Sequence, residues 1–346
     1  MRLLSNLPAE LIEDIIQVFC LGCTANPLAE DERYCYFGNC RCPAYRSAPY
    51  HSSRVSALAS LCLTSRQLNS AATRHLYHRP LGNKWWLLAR TLLARKDLGQ
   101  MVRDFPEKNY DMDGAELNCP PEVGTYFAEY YQAYVDSLPE NSFLMESALE
   151  TLNDVPFRRG ENFPLDIITS LCPNLETLST DVDYFNVFRF CPPQSLVRLR
   201  SVTLAHADTE FGMDIGYSVH LFRAAPNIDN LTLYAAARCP DLNLTLDKLT
   251  NLNLQPGAFS SNSLHHILAA CPNLERFNYE MGYDNVGYEQ FTLLEAWDAF
   301  LAHTPKLKVV RLDRGEVDYD EIWNEDDAES LRRVMEDRGI QFELCW

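Results

Sequence analysis

Five of the chain's 12 cysteines crowd near its start: Cys20, Cys23, Cys35, Cys40 and Cys42, with His51 just beyond. Cys20-x-x-Cys23 followed by Cys40-x-Cys42 is paired spacing of the kind from which four thiolates close a tetrahedron on zinc. Such a metal would stabilise residues 22–53, an insert otherwise lacking a core. Two features oppose it. The spacing fits no standard finger, and Cys20 lies on a helix whose apolar side needs burial. A disordered surface loop is the competing reading. The expectation is a chain with no cofactor, with zinc on Cys20, Cys23, Cys40 and Cys42 as the alternative. Catalytic patterns are missing elsewhere: there is no glycine-rich phosphate loop, no Gly-x-Ser-x-Gly and no His-Glu-x-x-His. His265-His266 sits on a helical stretch, where a satisfied structural role is expected ahead of ligation. The chain is therefore expected not to be an enzyme, and a zinc enzyme would further need an open coordination position.

The elements around the cysteines are helical. Pro8 suits a helix start because it lacks the N–H that would be unpaired there. Glu10, Glu13 and Asp14 complement the positive end of that helix. Leu7, Leu11, Ile12, Ile15, Ile16 and Phe19 fall at helical spacing on one wide apolar face. A second pattern carries Leu58, Leu61 and Cys62, and a third carries Leu68, Ala71 and Ala72, with Ser65 as its N-cap. Short helices of this size cannot bury their own faces and need a partner.

Read in order, Leu7-Pro8-Ala9-Glu10-Leu11, then Leu61-Cys62-Leu63-Thr64-Ser65-Arg66-Gln67-Leu68, then Leu76-Tyr77 resembles an F-box with an insert at residues 22–53. The F-box is the helical module that joins a substrate receptor to a cullin-RING ubiquitin ligase. The resemblance covers residues 1–80. It implies that Leu7, Pro8, Leu11, Ile12, Ile15, Ile16, Leu61, Leu63 and Leu68 contact a Skp-type adaptor, which in turn binds the cullin.

The second half is periodic. Cys172-Pro173-Asn174-Leu175, Ala225-Pro226-Asn227-Ile228, Cys271-Pro272-Asn273-Leu274 and Thr304-Pro305-Lys306-Leu307 each follow an amphipathic helical stretch and precede alternating apolar residues. The helical stretches are 165–171, 219–224, 264–270 and 293–302. Strand patterns of the Leu-x-x-Leu-x-Leu kind start at residues 175, 199, 228, 249, 274 and 307, separated by 24, 29, 21, 25 and 33 residues. Most of these separations fall within the 20–29 residues of leucine-rich repeats. Gly257, Gly282 and Gly315 stand where those repeats carry Asn or Cys, so the array reads as an irregular, fungal-type variant without the usual asparagine ladder. Residues 327–337 read as a closing helix, Gly339 as its stop and residues 340–344 as a last strand capping the stack. An ordinary α/β sheet of unequal units is the alternative.

The expected fold class is therefore α/β. Residues 1–80 form the helical F-box-like module. Residues 81–162 form a helical linker and first degenerate repeat, with helices at 84–94 and 126–138 and another within 144–152. Residues 163–346 form an irregular leucine-rich-repeat solenoid, a curved parallel sheet with helices on its convex side. The leucines should point inward and the interleaved residues should line the concave face. Thr203, Asn230, Thr232, Tyr234, Asn251, Asn253, Gln255, Arg276, Asn278 and Arg311 then form a polar strip suited to a protein substrate. Aromatics in loops 181–190, 211–217 and 283–291 are either recognition anchors or core. The acidic stretch 316–329 is expected to be solvated.

Net charge is −18, which argues against nucleic acid and against anionic membranes as partners. No apolar run reaches transmembrane length, and acidic residues interrupt any signal-like core at the start. The expected location is intracellular, cytoplasmic and/or nuclear, with the cysteines mostly as thiols. The sequons at Asn230 and Asn243 carry little meaning there. The functional expectation is the substrate-recognition subunit of a cullin-RING ligase. The alternative is a non-catalytic repeat scaffold or inhibitor acting outside one.

Overall fold

The computed structural model describes residues 7–20, 23, 44–80, 85–105, 163–182, 188, 190–206, 212–282, 290–314 and 323–345, with isolated positions 129, 133 and 136. Three helices open the chain: α1 (Ala9–Phe19), α2 (Ala44–Cys62) and α3 (Arg66–His78). Pro8 is the N-cap of α1, one position before the expected first turn. Ser65 caps α3 as expected, its hydroxyl accepting from Leu68 N at 3.2 Å. Ile12, Ile16, Leu58, Leu68 and Ala72 make a small core between the three helices.

Two further helices, α4 (Trp85–Ala94) and α5 (Lys96–Gly99), lead to β1 (Asp104–Phe105). Gly99 is required because a Cβ there would collide with the carbonyl oxygen of Leu171 on α6 (Phe163–Leu171). The rest alternates: β2 (Thr177–Val182), β3 (Ser201–His206), β4 (Met213–Asp214), α7 (Val219–Ala224), β5 (Asn230–Tyr234), β6 (Ala236–Arg238), β7 (Asn251–Gly257), α8 (Ser261–Ala269), β8 (Arg276–Met281), α9 (Leu293–His303), β9 (Val309–Asp313), α10 (Glu325–Asp337) and β10 (Gln341–Cys345). Eight strands form one parallel sheet in the order β1-β2-β3-β5-β7-β8-β9-β10, while β4 and β6 pair separately. Neighbours in the sheet therefore follow one another along the chain. Crossovers of one hand would put the connecting helices on a single face.

That arrangement explains the alternation. The Leu-x-x-Leu-x-Leu positions, from Leu175 and Leu178 through to Val310 and Leu312, are all buried in one core. Residues between them are half-buried or exposed on the other face. A backbone staircase fixes the phase of the units. Glu176 N donates to Arg103 O, Arg200 to Glu176 O, Asp229 to Arg200 O, Thr250 to Asp229 O, Glu275 to Thr250 O, Lys308 to Glu275 O and Gln341 to Lys308 O, all at 2.6–3.0 Å.

The Pro-Asn motif has a second use besides ending helices. The side-chain amides of Asn174, Asn227 and Asn273 donate to Gln100 O, Val197 O and Asp247 O, each at 2.8 Å. Each asparagine thus ties its turn to the backbone of an earlier unit. At the closing end Asn324 caps α10, Gly339 takes a left-handed φ of 71°, and β10 pairs in parallel with β9.

The sheet's first strand is β1, inside the segment read as linker and first degenerate repeat, and it pairs Asp104 with Thr177 and Phe105 with Leu178. The candidate helix at 126–138 is described only at Glu129, Ala133 and Asp136, which are helical and exposed. The stretch 144–152 lies outside the described residues. Phe188, Phe190 and Phe291 are buried, so these loop aromatics belong to the core. Of the acidic stretch, residues 316–322 lie outside the described residues. Trp323 is buried, with its indole N–H donating to Phe291 O at 3.0 Å.

Candidate metal centre and docking faces

Helix α3 carries three different faces. Leu68, Ala72 and Leu76 pack on the small helical core, and Tyr77 packs on the large one. His75 and His78, three residues apart and so on one side of the helix, face the end of α1. Cys20, the C-cap of α1, and Cys23 meet them there. Cys23 Sγ lies 3.5 Å from His75 Nδ1 and 3.3 Å from His78 Nδ1, and Cys20 Sγ lies 3.4 Å from His78 Nδ1. All four donor atoms fall within 4.8 Å of one another, a set that can hold a metal ion. His75 and Cys20 are buried, while His78 and Cys23 are half-buried.

His75 Nε2 lies 3.0 Å from Glu13 Oε1, and its Nδ1 is the ring nitrogen that meets Cys23. Burial, with Arg103 and then His75 adding to it, holds the His78 imidazole below its ordinary value. Of the four cysteines named in the zinc alternative, Cys20 and Cys23 belong to this cluster. Cys40 and Cys42 lie outside the described residues, and both histidines were missed. The missed signal is His75-x-x-His78, a helical pair 52 residues after Cys23.

The other cysteines differ. Burial pushes the Cys172 thiol up to about 12 and raises those of Cys239 and Cys271 as well. These are core residues. His265 and His266 have structural partners, as expected: His265 Nδ1 lies 3.1 Å from His303 Nε2, and His266 Nδ1 lies 2.9 Å from Cys239 O.

The residues expected to meet an adaptor divide into two sets. Ile12, Ile16 and Leu68 are buried in the module's own core, where they also form the floor of a groove. The helical period turns Ile12 and Ile16 toward α2 and α3. Leu11 is 48 % exposed, Ile15 39 %, and Leu63, at the tip of the α2–α3 turn, 89 %. Pro8 is exposed, and Leu7 and Leu61 are half-buried. Val18 is 57 % exposed and extends the stripe by one turn; its i+7 spacing from Leu11 marks it in the sequence. A groove of about 370 Å³ runs between α1 and α2, lined by Ile12, Ile15, Ile16, Phe19, Ala57, Ser60, Leu61, Thr64 and Leu68.

The open sheet face carries the polar strip in register. One row runs Ser201, Asn230, Asn251, Arg276, and the next runs Thr203, Thr232, Asn253, Asn278, Arg311. Asn253 Nδ2 donates to Thr232 Oγ1 at 3.1 Å and Asn278 Nδ2 donates to Asn253 Oδ1, a polar ladder across three strands. Gln255 is half-buried beyond Leu254, where the β7–β8 register shifts. Tyr234 is corrected. It is only 7 % exposed: the chain leaves the strand at Ala235 (φ 55°) and enters β6, which pairs with β4.

No protein-family model and no curated protein matches the chain. Among the described residues, no helix is long and apolar enough to cross a membrane.

Proposed function

We propose that this chain is the substrate-recognition subunit of a cullin-RING ubiquitin ligase, an F-box protein whose α1 and α2–α3 turn bind a Skp-type adaptor and whose sheet face binds the substrate protein. The observation carrying this reading is the apolar stripe of Leu11, Ile15 and Val18 on α1, and Leu63 on the α2–α3 turn, left exposed on a small three-helix module. Contiguous exposed apolar surface marks a site of association. It falls where the F-box resemblance puts the adaptor. Among the described residues, the other four large exposed hydrophobics, Val197, Leu294, Leu301 and Val334, lie in the sheet-bearing half.

The second half supports the other task. Consecutive parallel strands, recurrent helices and units of leucine-rich-repeat length suit a solenoid. Its strip of amides and hydroxyls, edged by Arg276 and Arg311, suits hydrogen bonding to a polypeptide. In this reading the chain selects a target and does no bond chemistry.

The test is co-purification of the full chain with a Skp-type adaptor and cullin. Wild type should hold both, and Leu11→Ala/Ile15→Ala/Val18→Ala should lose them while keeping its melting temperature. A folded wild type that captures neither would move the weight to a stand-alone repeat scaffold.

A further inference from the structure

We propose that Cys20, Cys23, His75 and His78 hold one zinc ion in a closed tetrahedral site that ties the end of α1 to the end of α3.

The distances suit the ion. With Zn–S near 2.3 Å and Zn–N near 2.0–2.1 Å, a tetrahedral zinc separates a sulfur from a nitrogen ligand by roughly 3.6 Å. Three of the four sulfur–nitrogen separations are 3.3, 3.4 and 3.5 Å, and the fourth lies within 4.8 Å. Cys20 Sγ also has a backbone acceptor, His75 O at 3.7 Å. His78 Nδ1 sits between both sulfurs, yet one imidazole nitrogen offers either one proton or one lone pair. A cation at the centre gives all four donors the same partner.

Glu13 is an independent sign. Its carboxylate meets the far nitrogen of His75 at 3.0 Å, the carboxylate–histidine arrangement that orients metal ligands and makes them more basic. Binding would release one proton from each thiol to solvent. Two thiolates would then balance the dication, leaving a neutral centre in a largely buried place. Four protein ligands leave no open position, so the site is structural.

Its task follows from position. The helical core beneath α1 is small, and α1 is joined to α2 by the long insert. Beyond α3, His78 O accepts from Arg103 N at 3.1 Å, and Arg79 pairs with Asp104 at 3.3 Å at the start of β1. A metal on α3 would therefore hold α1, with its exposed stripe, in fixed relation to the first strand of the sheet. This site stands independently of the adaptor reading, since either can fail alone.

The experiment measures zinc in the full chain, purified reduced and without chelator, by plasma mass spectrometry. About one equivalent per chain is expected. Cys23→Ser and His78→Gln should each fall below a tenth of that, and Cys35→Ser/Cys40→Ser/Cys42→Ser should retain it. To keep the test independent of the ligand variants' folding, wild type is also loaded with Co²⁺. The intense visible bands of tetrahedral cobalt, with thiolate charge transfer, should appear and be bleached by Zn²⁺. A folded wild type that carries no zinc and develops no such bands overturns the proposal. So does zinc that survives Cys23→Ser but leaves with Cys40 and Cys42.

Discussion

The two halves of this molecule use the same residue types in opposite ways. In the sheet-bearing half, Cys172, Cys239 and Cys271 fill apolar core and their thiols are pushed far from ionising. His265, His266 and His303 close local contacts between helices and turns. In the helical half, two cysteines and two histidines from opposite ends of the module converge on one point. The difference follows core size. A continuous sheet buries enough leucine to be stable by packing, and its polar groups need only be satisfied. Three short helices bury little, and they leave Leu11, Ile15 and Val18 exposed.

The largest effect that would break this comparison is metal removal. A strong zinc chelator should raise amide exchange throughout α1 and lower the stability of the helical module by several kcal/mol, as structural zinc does in small domains. Exchange in β5, β7 and β8 should not change. Loss of protection in those strands instead would mean that the halves are one cooperative unit.

Next in size are core truncations. Leu231→Ala and Leu252→Ala remove fully buried leucines and should each cost about 2–5 kcal/mol in the denaturant transition of the sheet. Leu11→Ala, on the exposed stripe, should shift stability by no more than about 0.5 kcal/mol and act on adaptor binding alone. If Leu11→Ala costs as much stability as Leu231→Ala, the stripe is internal core.

Smaller still is the polar ladder. Asn253→Ala removes a donor and an acceptor from the open face and should cost about 0.5–1.5 kcal/mol. Its larger consequence should be on substrate capture, measured with adaptor binding unchanged.

The smallest expected effect is a pH dependence. Burial, with His265 adding to it, holds the His303 imidazole below its ordinary value. The folded state therefore disfavours the charged ring. The stability it contributes is complete above about pH 6.5, the unfolded value, and is lost as pH falls through the lower folded value. His303→Gln should flatten that slope in thermal melts taken across the acid range. An unchanged slope would remove His303 from the account.

Much of the second half was legible because its signals repeat. Leucine alternation placed β2, β3, β5, β7, β8 and β9, and the Pro-Asn turns placed α6 to α9 within a few residues. Strand β1 was not legible: two residues, Asp104 and Phe105, are too few to show alternation, and only pairing with β2 makes them a strand. Tyr234 read as surface because alternation extends past Leu233, but the turn at Ala235 buries it. The candidate metal cluster was half legible. Cys20-x-x-Cys23 stood out, yet nearness in sequence drew Cys40 and Cys42 to it. The helix brings His75 and His78 instead, a pairing set by three-dimensional packing.

The most direct test of the division of labour is hydrogen exchange on the full chain with and without a Skp-type adaptor. The account predicts new protection at residues 9–19 and 61–64 and none along the sheet rows of Asn230, Asn253 and Asn278. Protection of the sheet face by the adaptor, or no change at α1 with adaptor in excess, would contradict it.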